Sequence, residues 1–112
     1  MREAALVTCP ARKSCSLLRR LAAKAGWGKT LPKGEGLGIA GHRSFVSYIA
    51  MVVRAKVDAD GTVRVPEVHA AIDCGFVANP ERVLSQVQGA CVFGMTVAML
   101  SGITLEGGAI KE

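Results

Sequence analysis

Aromatic side chains are scarce in this sequence: one Trp, one Tyr and three Phe among 112 residues. Half of the chain is hydrophobic, so any core must be assembled mainly from Ala, Val, Leu and Ile. The interleaving of aromatic and basic residues that stacks nucleic-acid bases is missing, and no nucleic-acid reader motif replaces it. No apolar run is long enough to span a bilayer. Cys9, Pro10, Arg12 and Lys13 interrupt any apolar region that a signal peptide would need. Neither nucleic acid nor membrane is therefore an expected partner. Metal-ligand spacings are also missing. The four cysteines, Cys9, Cys15, Cys74 and Cys91, form no C-x-x-C pair, and His42 and His69 have no spacing partner. Neither a zinc nor an iron–sulfur site is signalled. Free, mostly buried thiols are expected, compatible with a reducing compartment. There is no internal repeat, no Ser/His/Asp arrangement with supporting context and no pair of carboxylates in one recognisable motif. The chain carries no self-contained catalytic set.

Acidic charge is scarce in the first third. Eight of the fourteen basic residues fall within positions 1–33, opposed there only by Glu3, and the net charge is +5. Such a half can meet an acidic partner or nucleic acid; more commonly it is the solvated face of a helix.

The pattern predicts an α+β fold. Residues 1–13 read as irregular. From Ser14, a candidate cap, Leu17, Leu18, Leu21, Ala22 and Ala25 recur at helical spacing between Arg19, Arg20 and Lys24, and Gly26 is placed to stop the helix. Trp27 is expected to fold back onto the helix end. Residues 28–36 read as a loop and 36–41 as a short strand. Gly34-x-Gly36-x-Gly38 is not a phosphate-cradling loop, because no helix follows it. Residues 45–74 predict a long hairpin. Its first strand places Ile49, Met51, Val53, Ala55 and Val57 on one face, and Tyr48, Ala50 and Val52 on the other, followed by Arg54 and Lys56. Asp58–Gly61 supplies the turn, with Gly61 available for positive φ. The hydrophobic phase slips near Pro66, which cannot donate to a ladder, so a bulge is expected there on an edge or a twisted end. A last short hairpin is expected around Glu106-Gly-Gly108. The natural arrangement is a small antiparallel sheet packed with a long helix over about 80–100 and an N-terminal helix over about 14–25, with 14–112 forming one domain.

The long helix carries the strongest local signals. Asn79 can accept from a free N–H of the first turn, Pro80 loses nothing at the first helical position, and Glu81 sits near the positive end of the dipole. Ser101 and Gly102 are placed to end it, with Gly102 as a left-handed cap. Val83, Val87, Ala90, Cys91, Gly94 and Ala98 make a stripe of small residues expected to pack on the hairpin. Gly89 and Gly94 lie in the interior, where each costs about 1 kcal/mol relative to Ala. A glycine retained there allows another backbone or a ligand to approach. Gln86, one turn before Gly89, offers two donors and an acceptor, which suits the edge of a heterocycle. Asp73, at a strand end, reads first as a cap for the loop that follows it.

The segment Ser85-Gln-Val-Gln-Gly-Ala-Cys-Val-Phe-Gly94, preceded by Asp73-Cys-Gly-Phe-Val-Ala-Asn-Pro80, resembles the Q-V-E-G-A/G-x-V-x-G region of the molybdenum hydroxylases, the xanthine dehydrogenase and aldehyde oxidoreductase family. It looks closest to large subunits of the isoquinoline 1-oxidoreductase type. The likeness reaches back through Leu21-Ala-Ala-Lys-Ala-Gly-Trp-Gly-Lys-Thr-Leu-Pro32, Gly38-Ile-Ala40 and His42 to Tyr48, and forward to about Ala109.

The resemblance implies a piece of the molybdopterin-binding subunit of a molybdenum-dependent oxidoreductase, which hydroxylates an N-heterocycle or an aldehyde with oxygen from water. It implies molybdopterin cytosine dinucleotide as cofactor in the complete enzyme. Gln86 falls on the glutamine that hydrogen-bonds the cofactor near its metal end, with Ser85 and Gly89 as neighbours. The implied partners are the rest of the large subunit and an iron–sulfur small subunit. Departures limit the carry-over. The family's catalytic glutamate belongs to a later G-x-G-E motif, and Glu106 and Glu112 stand in another context. Gln88 occupies a position usually held by Glu, Pro66 is not usual there, and the first dozen residues look unrelated. The expectation is a fragment that binds no cofactor by itself, has no turnover alone and self-associates through an exposed apolar face. The alternative is a stand-alone interaction module that has lost the cofactor site. Neither a cytoplasmic nor a periplasmic location is selected.

Overall fold

The computed structural model describes residues 12–111, with side chains from Cys15 onward. The fold is α+β, as the pattern predicts, and comprises two compact units that divide after Phe76. Sequence expectations for residues 1–11 lie outside the described residues.

In the first unit, helix α1 spans Arg12–Lys24. It starts two residues before the expected boundary, so Arg12 and Lys13 are helical and Ser14 lies inside the helix rather than capping it. Its end follows the expectation. Gly26 takes φ +74. Trp27 N donates to Ala22 O at 2.9 Å and Gly26 N to Ala23 O at 3.3 Å. This is a Schellman termination, in which only glycine adopts the left-handed residue without strain. It returns Trp27 to the core, where it packs beside Leu17, Leu18 and Ala25.

Three antiparallel strands follow in the order β1-β2-β3: β1 Glu35–Ser44, β2 Ser47–Val57 and β3 Val63–Asp73. The expected hairpin is therefore the second of two. Strand β1 is longer than the predicted 36–41, and it pairs with β2 from Glu35↔Lys56 to Ser44↔Ser47. Phe45 and Val46, expected to begin a strand, form the connecting turn instead. Phe45 has φ 51 and is almost fully exposed. Their β propensity is overridden by the register of the flanking strands.

The β2–β3 turn forms as expected, with Gly61 at φ +85. Asp60 Oδ1 accepts from Thr62 N at 2.9 Å. Arg54 faces Glu67 while Lys56 faces Arg64, so β3 carries one extra residue in the interval that holds Val65 and Pro66. The predicted bulge is present, and it lies on an edge strand.

The core of this unit is narrow. Leu21, Ala50 and Val52 are buried, and Val52 has no exposed surface. Leu37, Ile39 and Ala71 complete the cluster. Alternation along the strands puts Ala50 and Val52 under α1. Gly41 shares that face, and a Cβ there would come within 2.8 Å of Leu18 Cδ1, so glycine permits the approach of the helix. The other phase of β2, Ile49, Met51, Val53 and Ala55, is half-buried.

In the second unit, helix α2 spans Pro80–Met99. Its C-cap is Leu100, at φ −121, with Leu100 N and Ser101 N both donating to Thr96 O. This corrects the expectation for Gly102, which is not left-handed: the shared carbonyl closes the helix before the glycine is reached. A short hairpin follows, β4 Leu105–Glu106 and β5 Ala109–Ile110. Gly107 and Gly108 both take positive φ between these strands, the requirement of a type I′ turn.

Candidate functional site

The three residues singled out by sequence all lie on α2, and its N-terminus is fixed as predicted. Asn79 takes an extended conformation, and its Oδ1 accepts from Arg82 N at 3.2 Å. With Pro80 at the first helical position and Glu81 in the first turn, this sets the rotation and depth of every residue that follows.

Gln86 is exposed, and no hydrogen bond among the described residues engages its amide. Gly89 is three residues on, and a Cβ built there meets nothing within 4 Å. Ser85 Oγ donates to Glu81 O at 2.9 Å, so its hydroxyl is spent on the helix backbone. Helical spacing puts Arg82, Gln86, Gly89 and Phe93 along one side of the rod. Phe93 is 71% exposed. No acidic side chain shares that side. Arg82 and Phe93 were not singled out in the sequence; their steps of four and seven from Gln86 are the signal that identifies them.

The apolar stripe differs from the expectation. Val83, Val87, Cys91 and Met95 are half-buried at four-residue steps, while Ala90, Gly94 and Ala98 are exposed, and no α2 residue is buried. A row of four-residue steps drifts around a 3.6-residue helix, which carries it to Met95 rather than to Gly94 and Ala98.

Several polar groups elsewhere are committed to structure. Asp73 Oδ1 accepts from Gly75 N at 3.2 Å, closing the loop as expected. Arg54 Nε donates to Glu35 Oε2 at 2.9 Å, and Glu67 lies 2.9 Å from His69 Nε2. The Arg64 guanidinium, with Lys56, holds the Asp58 carboxyl below its usual range. The Thr62 N–H does the same for Asp60. Cys15, Cys74 and Cys91 form no disulfide among the described residues, and they are half-buried rather than mostly buried as expected. No group of His, Cys, Asp and Glu able to hold a metal ion occurs among the described residues.

An unpartnered amide, a glycine gap one turn away, a cation and no acid form a side suited to an anionic heterocyclic group. Comparison with known proteins gives the class. A family model described as a molybdopterin cofactor-binding domain matches residues 11–112, and the chain belongs to that family. Two curated relatives show what longer proteins contain this region. Over 104 residues the chain is 28% identical to a membrane-bound aldehyde dehydrogenase (pyrroloquinoline-quinone) of Gluconacetobacter polyoxogenes, covering 88% of this chain and 14% of that protein. Over 115 residues it is 26% identical to isoquinoline 1-oxidoreductase subunit beta of Brevundimonas diminuta, covering 99% of this chain and again 14% of that protein. The chain thus spans about a seventh of the length of these relatives. No solved structure matches it significantly. No described helix is long and apolar enough to cross a membrane.

Proposed function

We propose that this chain forms one wall of the cofactor site in a molybdenum-dependent oxidoreductase, and that the Arg82–Gln86–Gly89 side of α2 is that wall. The observation that carries the reading is the conjunction of the family match over residues 11–112 with an unspent amide beside an open glycine position. In this reading Gln86 donates to and accepts from the cofactor near its metal end. Gly89 leaves room for its approach, and Ser85, whose hydroxyl is bonded to Glu81 O, is a neighbour of Gln86 on the helix. Arg82 places positive charge where an anionic group would lie. When bound, the cofactor supplies the two-electron redox chemistry; these residues only orient it and tune its surroundings.

The finer reading is molybdopterin cytosine dinucleotide as the cofactor form, with hydroxylation of an N-heterocycle or an aldehyde using oxygen from water. Its partners are the remainder of a large subunit and an iron–sulfur small subunit. The names of the two relatives support the substrate classes, and the designation "subunit beta" supports the presence of another subunit. No general acid or base for the reaction is recognised among the described residues, so the isolated chain is expected to bind no cofactor and to have no turnover.

The test is metal and pterin content. The complete enzyme carrying this segment is purified from molybdate-fed cells, and molybdenum is counted per chain by plasma mass spectrometry. Gln86→Ala is expected to lower molybdenum and pterin together, and Gln88→Ala, on another side of the helix, to leave both unchanged. Equal content in all three proteins removes Gln86 from the site. A complete enzyme holding a quinone and no molybdenum overturns the reading as a whole, in favour of the cofactor named for the relative from Gluconacetobacter polyoxogenes.

A further inference from the structure

The two edges of the first unit's sheet differ. Strand β3 is guarded against further pairing. Pro66 offers no N–H, a bulge interrupts the register, and Arg64, Glu67 and His69 set ionisable groups along it. Strand β1, at the other edge, has none of these devices. Its register with β2 is unbroken, and residues 36–42 contain no Lys, Arg, Asp, Glu or Pro. A regular, uncharged edge of this length is a template for another strand.

The groups on that edge can be identified. Val57 N donates to Gly34 O at 2.8 Å, one step outside the Glu35↔Lys56 pair. Glu35↔Lys56 is therefore a non-hydrogen-bonded pair, and by alternation the even-numbered residues of β1 exchange bonds with β2. The N–H and C=O groups of Leu37, Ile39, Gly41 and Arg43 point away from β2, and no backbone bond among the described residues engages them. Charge stands only at the two ends of this row. Glu35 receives Arg54 on Oε2 alone, which leaves Oε1 without a partner among the described residues. Arg43 takes part in no ion pair among them, and its guanidinium lies over the Tyr48 ring, 5.6 Å from the centroid.

We infer that β1 pairs antiparallel with β1 of a second copy of this chain, about a two-fold axis at Ile39. A row of unspent backbone groups selects an extended strand as occupant. Charge complementarity selects the chain's own copy. Pairing centred on Ile39 sets Leu37 opposite Gly41 of the second copy, and Glu35 opposite Arg43 of the second copy. An unpartnered carboxylate oxygen then meets an unpaired guanidinium at each end, as an isologous contact requires. The same register matches outward-facing residues with outward-facing residues, so bonds can form across the junction. Centring on Gly38 or Ala40 keeps that match but sets Glu35 opposite Gly41, or Arg43 opposite Leu37. Both copies of α1 lie on one face of the joined sheet, each over its own β2. Three strand spacings, about 14 Å, separate the two β2 strands. Packed helices need only about 8–10 Å, so the helices do not obstruct the junction. The contact uses no residue of 77–111 and is independent of the cofactor reading.

The experiment follows hydrogen exchange of the full chain, amide by amide in 15N NMR spectra, from dilute to concentrated solution. Exchange at Leu37, Ile39 and Gly41 is expected to slow about tenfold or more with concentration. The amides of Gly38 and Ala40, bonded to β2, are expected to stay slow throughout and to report that the unit is folded. Two variants fix the register. A Cβ at Gly38 meets nothing within 4 Å and Ala40 is exposed, so Gly38→Lys with Ala40→Lys is tolerated by the fold. It sets ammonium groups opposite one another and is expected to abolish the concentration-dependent protection. Arg43→Glu faces carboxylate with carboxylate at both ends and is expected to move the protection to about tenfold higher concentration. Fast exchange at Leu37, Ile39 and Gly41 at every concentration would overturn the proposal. Slow exchange that persists at the lowest concentration would show the edge covered within one chain and overturn the choice of occupant. Protection that neither variant alters would overturn the register.

Discussion

At the scale of single residues, the proposed site rests on Gly89 and Gln86. A glycine inside a helix lowers stability relative to alanine by about 0.5–1 kcal/mol, because it frees the unfolded backbone and buries nothing. Gly89 gains nothing in return within the described structure, since no atom beyond its own stretch of helix lies within 4 Å of where a Cβ would be. Gly89→Ala is therefore expected to raise the unfolding free energy of the chain by about 0.5–1 kcal/mol in urea titrations. A loss of stability would mean that the position is crowded. Gln86 was legible only through its resemblance to a family segment. An exposed glutamine on a helix carries no periodic signal, so spacing and composition leave it indistinguishable from a solvated side chain. Gly41 illustrates another limit. Its need appears only when Leu18 of α1 is seen against the sheet, a contact across sequence that no local pattern announces.

Among the elements, those with dense local signals were the legible ones. Asn79, Pro80 and Glu81 fix the start of α2, and Gly26 fixes the end of α1, because each acts on backbone groups within a few residues. The bulge opposite Arg54–Lys56 was legible from Pro66 and the slip in hydrophobic phase. Strand β1 was only partly so. Gly36, Gly38, Ala40 and Gly41 give it little alternation to read, and its pairing with β2 is a long-range choice. The turn at Phe45–Val46 was hidden for the opposite reason, since both residues favour strands.

The β2–β3 hairpin also carries a dependence on pH. Asp58 binds Arg64 and Lys56, and its folded-state pKa lies below the unfolded value. A depressed carboxylate contributes stability above its unfolded pKa, and the contribution is lost as pH falls through the folded one. The difference in melting temperature between the parent and Asp58→Asn is thus expected to be present at neutral pH and to vanish progressively below about pH 4. A difference that persists unchanged in acid would remove the ion pairs as its cause.

For the molecule as a whole, exposed apolar surface is the dominant fact. Leu84, Phe93, Val97, Leu100, Ile103 and Leu105 are all exposed within residues 77–111. So many exposed large apolar side chains point to surface that a partner covers. In the proposed function, the remainder of a large subunit covers it. The isolated chain is accordingly expected to self-associate, giving a mass by light scattering that rises with concentration and falls for Phe93→Ser with Leu100→Ser. A concentration-independent monomer would mean that this surface needs no partner. The chain spans only 14% of the length of the relatives it matches.

In the proposed function one side of α2 faces the cofactor, and the position of the metal decides whether it does. A crystal of the complete, loaded enzyme, measured on both sides of the molybdenum absorption edge, gives the position of the metal by anomalous scattering. A peak is expected on the side of α2 that bears Gln86 and Gly89, with the Gln86 amide within hydrogen-bonding distance of the cofactor. A peak on another element, with the Gln86 amide in bulk water, would contradict it.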